Sequence, residues 1–423
     1  MQHFHVFPCL LALLIVLLMI PESAYAFDEF GEELAPTRFE LTIDDLALQI
    51  KGRGRIGLHD LQGQGGPEFD SKTDTQTIGT RSPFVELDSF DLAFRFHWDQ
   101  MLWINASADF TASGAYLSSI YFEYDDELPY NFSQAFEVGY QTSVVATHRH
   151  TTRYPLIAAM YWKNPEFHIA YAVSQRFTPE TKLTLYADLS MMRPLKSEPL
   201  HNSPTYRGTY SLISYGSARS FSGNMPAGTL RLQFTTYGFL LEGFGFLGEL
   251  STQSGIDTLV SDIPYYRQMP GYLPDKASGK AWWAGGRIGY DGYGVHFLAE
   301  AIYSQEDLLD RFGWYAQASY TYPRESQWFN RFELLFRYEQ IYLLNSDIPL
   351  NASNALRSPD IINAITWNYD IATIALHANI FRDFVSIRLE YAFIMEENGV
   401  DALGIDSVSV DNNELLLQLE ARF

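Results

Sequence analysis

The feature that most constrains this chain is a hydrophobic period of two, repeated in segments about ten residues long. The C-terminal segment shows it most clearly. Apolar side chains occupy alternate positions there, at Leu415, Leu417, Leu419, Ala421 and Phe423. Polar side chains fall between them, at Glu414, Gln418, Glu420 and Arg422. Because successive side chains of a strand point to opposite faces, this segment predicts a strand with one apolar and one polar face.

The same alternation recurs upstream in segments 386–393, 373–380, 332–339 and 295–303. An amphipathic helix would repeat its apolar residues every three to four positions instead. Five segments with the same period therefore predict an all-β protein.

Composition by itself leaves two β architectures open. Aromatic residues make up 15% of the chain and charged residues 19%, which suits a soluble sandwich as well as a membrane barrel. No stretch after the N-terminal region approaches 18 consecutive apolar residues, so spanning helices are not predicted there. Alternation sustained over about ten residues is typical of strands that cross a bilayer. We therefore predict a transmembrane antiparallel β-barrel.

The spacing of the predicted strands gives a second indication. The connections Leu343 to Ile362 and Met395 to Asn412 are long, whereas Tyr237-Gly238 and Arg382-Asp383 are short. Bacterial barrels have short periplasmic turns and longer extracellular loops, so we expect that arrangement here. At roughly 25 residues for each strand with its connection, the chain predicts about 16 strands.

The N-terminus has the pattern of an export signal. An apolar stretch from Cys9 to Ile20 is followed by Ala24-Tyr25-Ala26, which predicts cleavage after Ala26. A membrane anchor is the alternative, but 12 residues are too few to span a bilayer. Residues 27–423 would then form the mature barrel, with 27–47 as a weakly patterned periplasmic lead-in. Cys9 is the only cysteine, so no internal disulfide is expected.

The formal net charge of −22 argues against a nucleic-acid partner. The predicted partners are outer-membrane lipids and lipopolysaccharide around the barrel. We also expect the barrel-assembly machinery to engage the C-terminal strand that ends in Phe423. The predicted location is the bacterial outer membrane.

Several segments resemble the phosphate-selective porin family of outer-membrane channels. They are Gly313 to Tyr320, Phe332 to Tyr338, Ile365 to Tyr369, His377 to Phe393 and Leu419 to Phe423. The resemblance implies a homotrimer of roughly 16-stranded barrels with a pore in each subunit. The sequence departs from that family in its charge, since 51 acidic residues outnumber 29 basic ones.

Strand parity assigns a set of charged side chains to the lumen. The pore-lining candidates are Arg53, Arg55, Arg95, Arg231, Arg287, His296, Glu300, Arg337 and Arg388. Their arginines, with Arg422, could form a cationic wall that selects anions. Alternatively, they pair with Glu333, Glu339, Glu390 and Glu420 across the inner wall.

Other motifs in the sequence give weaker evidence of function. Gly52 to Gly57 matches the dinucleotide fingerprint, but it lacks the strand before and the helix after that the fingerprint requires. His148 and His150 lie two apart with no further metal ligand nearby, and acidic residues at Asp257, Asp262, Asp401, Asp406 and Asp411 match no cation-binding loop. Ser386 and His377 fall on the lumen side, which does not suit a lipid hydrolase. We therefore expect no enzyme activity, cofactor or metal.

Three hypotheses follow for function. The first is a porin for passive diffusion of small hydrophilic solutes or ions, based on polar inner faces. The second is an anion- or phosphate-selective channel. The third is a structural or adhesive barrel occluded by an inward-folded stretch, for which Arg193 to Gly228 and Ser251 to Ala281 are long enough.

Overall fold

The structure is a computed structural model. It describes residues 39–43, 46–61, 68–70, 75–77, 83–98, 101–111, 114–143, 145–146, 151, 153–162, 164–193, 195–199, 211–216, 226–249, 280–306, 309–323, 329–344, 367–380, 384–398, 409–411 and 413–422. The predicted signal peptide, Phe423, and the pair His148 and His150 lie outside these residues, so those predictions stay predictions.

Twenty-two strands and one short α-helix make up the described chain. In order they are β1 (Phe39–Ile43), β2 (Leu46–Leu61), β3 (Glu68–Asp70), β4 (Thr75–Thr77), β5 (Phe84–Trp98), β6 (Leu102–Thr111), β7 (Gly114–Leu128), β8 (Phe132–Gln141), α1 (Leu156–Tyr161), β9 (Glu166–Thr178), β10 (Thr181–Met191), β11 (Leu195–Pro199), β12 (Ser211–Tyr215), β13 (Pro226–Thr236), β14 (Phe239–Glu249), β15 (Lys280–Gly292), β16 (Val295–Glu306), β17 (Leu309–Pro323), β18 (Phe329–Leu343), β19 (Trp367–Ile380), β20 (Val385–Asn398), β21 (Ser409–Asp411) and β22 (Glu414–Arg422). A 3-10 turn, Pro129–Asn131, links β7 to β8.

Sixteen of these strands form a closed antiparallel barrel, which confirms the predicted fold class and strand number. Each pairs with the next in chain order from β5 to β10 and from β13 to β20. The ring closes at β2, which pairs with β5 along one edge and with β22 along the other. There Arg53 lies opposite Arg422. No helix among the described residues is long and apolar enough to span a membrane.

Burial alternates along the barrel strands as the sequence period predicts. In β22, Gln418 and Glu420 are fully buried, whereas Leu417 and Leu419 are 40% and 48% exposed on the outer face. Large apolar side chains are exposed in the same way around the outer wall, among them Leu334, Phe336, Ile374 and Leu376. A closed barrel with an apolar outer wall satisfies its backbone internally and suits lipid. This architecture belongs in the bacterial outer membrane.

Two hairpins turn at Tyr-Gly pairs. Tyr237 and Gly238 connect β13 to β14, and Tyr293 and Gly294 connect β15 to β16. Both residues of each pair have positive φ, which is the backbone of the tight turn that matches the twist of antiparallel strands. A Cβ on Gly238 would lie 2.2 Å from the carbonyl oxygen of Asp291, so glycine is required there. Which end of the barrel faces outward stays a prediction.

A hydrophobic core lies inside the barrel, in addition to the polar side chains of its inner faces. It forms where α1 and the hairpin of β11 and β12 cover the inner wall from β14 to β20. The wall contributes Phe244, Phe246, Trp283, Ile302, Tyr315, Ile341, Ile371 and Ile394. Polar residues would be left without water beneath this cover, so apolar residues occupy these inward positions.

Candidate pore and its inner segment

The chain between β8 and β9 turns into the barrel. We call its described residues, 143, 145–146, 151 and 153–162, the inner segment. Pro155 precedes α1, whose sequence Leu-Ile-Ala-Ala-Met-Tyr is apolar, and all six side chains are buried. A helix of six residues without a side-chain cap has little stability of its own. Burial of its leucine, isoleucine and methionine, worth about 1.5–3 kcal/mol each, holds it in place.

The near half of the inner segment is fixed to the wall by Arg287 of β15. Its guanidinium donates to Glu242 at 2.6 Å, to Glu300 at 3.2 Å and to the carbonyl oxygen of Val145 at 2.8 Å. All three strand side chains are buried. Because one cation is shared between two carboxylates and the segment backbone, the position of Val145 is set by the wall.

The middle of the inner segment is fixed to β18, the eighth strand after β8 around the ring of sixteen. Arg337 donates to the hydroxyl of Thr151 at 2.5 Å and to the carbonyl oxygen of Arg153 at 3.2 Å. Glu339 pairs with Arg153 and accepts a hydrogen bond from the backbone nitrogen of Leu156 at 2.5 Å. The segment therefore crosses the interior to the side opposite its origin.

The end of α1 packs against the hairpin of β11 and β12. The Tyr161 hydroxyl donates to Ser304 at 2.6 Å, and burial raises the pKa of that hydroxyl, so it stays protonated as a donor. Arg311 donates to the carbonyl oxygen of Ile213 at 2.5 Å and pairs with Glu306. Hairpin, helix and wall thus form one packed unit on this side of the lumen.

The opposite side of the interior is less covered. The inner faces of β2 and β5–β8, which we call the open wall, carry partly exposed charged side chains. The side chain of Arg53 is 24% exposed and that of Arg95 is 33% exposed, against 3% for Arg287 and 0% for Arg337. Among the described residues, space therefore remains along the open wall, between it and the inner segment.

The nine pore-lining candidates divide by this geometry. Arg231, Arg287, Glu300 and Arg337 are buried on the covered side, and Arg55 is buried in a pair with Asp91 at 2.6 Å. Partly exposed candidates are Arg53, Arg95, Arg388 and His296. That these four line a conducting pore stays a prediction.

Most candidate cations have acidic or aromatic partners. Arg53 binds Asp91 at 2.7 Å, and His296 lies 3.1 Å from Asp291. Arg388 lies 3.7 Å from Glu420. Arg231 stacks over the Tyr186 ring at 3.7 Å.

Arg95 has the most exposed side chain of the four partly exposed candidates. It lies 3.7 Å from Glu123 and stacks over the Trp103 ring at 3.9 Å. Most of the candidates are therefore paired with carboxylates, chiefly ones other than the four predicted, and Arg95 keeps the largest exposed fraction.

Acidic side chains share the open wall. Asp91, Asp109, Glu123 and Asp125 all point inward from β5, β6 and β7, beside Arg53 and Arg95. Both charge signs therefore face the uncovered space, and net charge alone does not decide which ion it favours.

The inner segment is the functional element that sequence reasoning missed. Its signal was the apolar run Leu156–Tyr161 directly after Pro155, in a connection between two alternating strands. Arg193 to Gly228, one of the two stretches considered for inward folding, contributes only the hairpin of β11 and β12 among its described residues. Ser251 to Ala281 lies almost wholly outside the described residues.

No protein-family model matches the chain, and no curated protein matches its sequence. Solved structures do match its fold. The outer membrane channel DcaP of Acinetobacter baumannii aligns with a TM-score of 0.55 at 12% identity, over 90% of this chain and 99% of that one. The chain has the fold of the outer-membrane porins.

Two further structures agree with this assignment. OmpF of Salmonella typhi, solved with daunomycin, aligns with a TM-score of 0.52 at 10% identity, over 91% of this chain and 100% of that one. OmpT of Vibrio cholerae aligns with a TM-score of 0.51 at 9% identity, over 91% and 99%. At these identities the likeness concerns the fold, and the phosphate-selective family is not singled out.

Proposed function

We propose that this protein is a porin through which small hydrophilic solutes and ions diffuse passively across the outer membrane. The observation that carries the proposal is the inner segment. It is fixed to the inner faces of β15 and β18 by Arg287, Arg337 and Glu339, and it leaves the charged side chains of the open wall partly exposed. A barrel interior that is narrowed on one side and polar on the other suits size-limited diffusion of hydrated solutes.

Anion or phosphate selectivity is a second candidate, favoured by the partly exposed Arg53, Arg95 and Arg388. A pore charge raises the local concentration of its counter-ion and repels the co-ion. The carboxylates of Asp91 and Glu123 beside these arginines act against that preference. The balance between them is measured by a reversal potential.

An occluded structural or adhesive barrel is the third candidate, favoured by the hydrophobic core that the inner segment builds inside the barrel. We further propose that the barrel assembles as a trimer with one pore in each subunit. Lipids and lipopolysaccharide would surround the assembly, and the C-terminal strand would engage the assembly machinery.

The deciding experiment is single-channel recording in planar bilayers, on protein refolded without residues 1–26, in a KCl gradient. Conductance steps in groups of three would support a trimeric porin. A reversal potential that favours chloride would support the anion-selective candidate, and one that favours potassium would contradict it. A folded protein that stays silent where a known porin conducts would contradict both channel proposals and favour the occluded barrel.

A further inference from the structure

A histidine and two carboxylates meet on the inner face of the barrel, on the two strands that follow β8 of the open wall. Glu166 and His168 lie two apart on β9, and Asp188 projects from the adjacent strand β10. One oxygen or nitrogen from each lies within 4.8 Å of the other two. None of the three residues is more than 4% exposed.

Each of the three residues has a side-chain atom that is buried without a hydrogen-bond partner among the described residues. These atoms are Oε2 of Glu166, Nδ1 of His168 and Oδ2 of Asp188. Nδ1 of His168 and Oδ2 of Asp188 face each other at 3.5 Å. The other Asp188 oxygen, Oδ1, accepts a hydrogen bond from the Thr229 backbone nitrogen at 3.1 Å. That bond orients the carboxylate so that Oδ2 points at the ring. A buried ring nitrogen and carboxylate oxygen left in this state are costly unless something binds between them.

The other ring nitrogen of His168 lies beside groups that can hold it. Its Nε2 is 2.9 Å from the amide nitrogen of Gln141 and 3.9 Å from the Glu137 carboxylate. Metal-binding histidines commonly donate their second ring N–H to a carboxylate or carbonyl, which fixes the tautomer. Glu137, or the Gln141 carboxamide oxygen after rotation of its terminal torsion, can accept that proton. Nδ1 would then carry the free lone pair.

The charges around these three residues are compatible with a bound cation. Glu166 and Asp188 bring two carboxylates together, and the nearby cation is Arg193, whose Nε lies 3.0 Å from Glu166. Arg193 also donates to the carbonyl oxygens of Tyr161 at 2.5 Å and Asn164 at 2.9 Å. It therefore has partners beyond Glu166, so Glu166 can turn toward a metal ion without leaving Arg193 unpaired.

We propose that Glu166, His168 and Asp188 form a binding site for a divalent transition-metal ion such as Zn²⁺ on the inner wall of the barrel. One imidazole nitrogen and two carboxylate oxygens favour zinc or manganese over magnesium and calcium, which prefer ligand sets made only of oxygen. The site lies beside the return of the inner segment into β9. It does not depend on the proposed transport function.

The test uses Co²⁺ as a spectroscopic substitute for Zn²⁺, added to the refolded full barrel after chelation and dialysis. We expect visible absorption bands at one Co²⁺ per chain, lost when Zn²⁺ is added. We expect H168Q and D188N each to weaken Co²⁺ binding at least about tenfold, since each removes a ligand. H296Q is the matched control, because His296 also faces the interior beside a carboxylate, Asp291, and should bind as the parent does.

Folding of each variant is checked independently by heat-modifiable migration on gels. The proposal is overturned if the parent shows no spectral change at millimolar Co²⁺, or if Mg²⁺ displaces Co²⁺ as readily as Zn²⁺ does. It is also overturned if folded H168Q binds Co²⁺ like the parent. If H168Q does not fold, E166Q and D188N provide the same comparison.

Discussion

The charged residues inside this barrel differ chiefly in how much their removal would destabilise the folded protein. Arg287 and Arg337 are buried beneath the inner segment and hold both carboxylates and segment backbone. Removing a buried ion-pair partner leaves an uncompensated charge, whereas a partly exposed charge is solvated by water. Arginine therefore has two roles in this barrel. Buried arginines hold the structure together, and partly exposed arginines face the lumen.

Replacement of Arg287 by methionine should destabilise the folded barrel by about 3–5 kcal/mol, because Glu242 and Glu300 lose their shared partner. The measurement is the urea midpoint of unfolding in lipid vesicles, followed by tryptophan fluorescence. Arg95→Met is the control and should shift the midpoint far less. Equal shifts in the two variants would contradict the buried role of Arg287.

The turn at Gly238 gives a second comparison at the residue scale. Gly238→Ala should lower the refolding yield, because φ is +80° and the new Cβ would meet the Asp291 carbonyl. Gly243→Ala is the matched control, since a Cβ there meets nothing within 4 Å. Both variants are compared by heat-modifiable migration on gels. A Gly238→Ala barrel that refolds as well as Gly243→Ala would show that the turn tolerates the strain.

At the scale of elements, the inner segment is the part of the chain whose fold depends most on its surroundings. Each barrel strand is hydrogen-bonded to a neighbouring strand on either side, whereas α1 has six residues and is stabilised by burial of all six side chains. Its removal should therefore leave the barrel ladder intact and change the space inside it.

Replacing Leu156–Tyr161 by six glycine and serine residues should increase single-channel conductance, because the helix that fills this side of the lumen is lost. Folding should persist, as judged by β-sheet circular dichroism. Tyr161→Phe, which removes only the hydrogen bond to Ser304, should leave conductance near that of the parent. Unchanged conductance in the six-residue variant would mean that the inner segment does not limit the pore.

At the scale of the whole molecule, net charge and pore charge are separate quantities. The chain has a formal charge of −22, but ions in the lumen respond mainly to charges within about one Debye length, roughly 10 Å at 0.1 M salt. Arginine and carboxylate side chains alternate on the open wall. The net charge of the chain therefore says little about the ion selectivity of the pore, and more about how strongly copies of the protein repel each other.

Arg95→Glu should shift the reversal potential toward cations, since it reverses a charge that is one third exposed on the open wall. Lys280→Glu makes the same change in net charge at an exposed position on the outer face of β15, and it should shift the potential much less. Bi-ionic measurements in KCl gradients compare the two. Equal shifts would place the controlling charges outside the open wall.

Sequence alone determined the fold class, the strand parity and the approximate strand number. Each follows from a local property, because the direction of a side chain on a strand alternates with position. Parity also assigned Arg287, Arg337 and Glu300 to the inner face, but it could not tell a buried charge from a solvated one. That difference depends on what covers the inner face.

Only the tertiary structure decided which connection enters the barrel and which charges it covers. Val145 meets Arg287 across 142 positions of the chain, and Arg153 meets Glu339 across 186, separations that no local pattern encodes. The meeting of His168 with Asp188 likewise depends on the register between β9 and β10. A strand period fixes the face on which a side chain lies, but register and packing fix its partner.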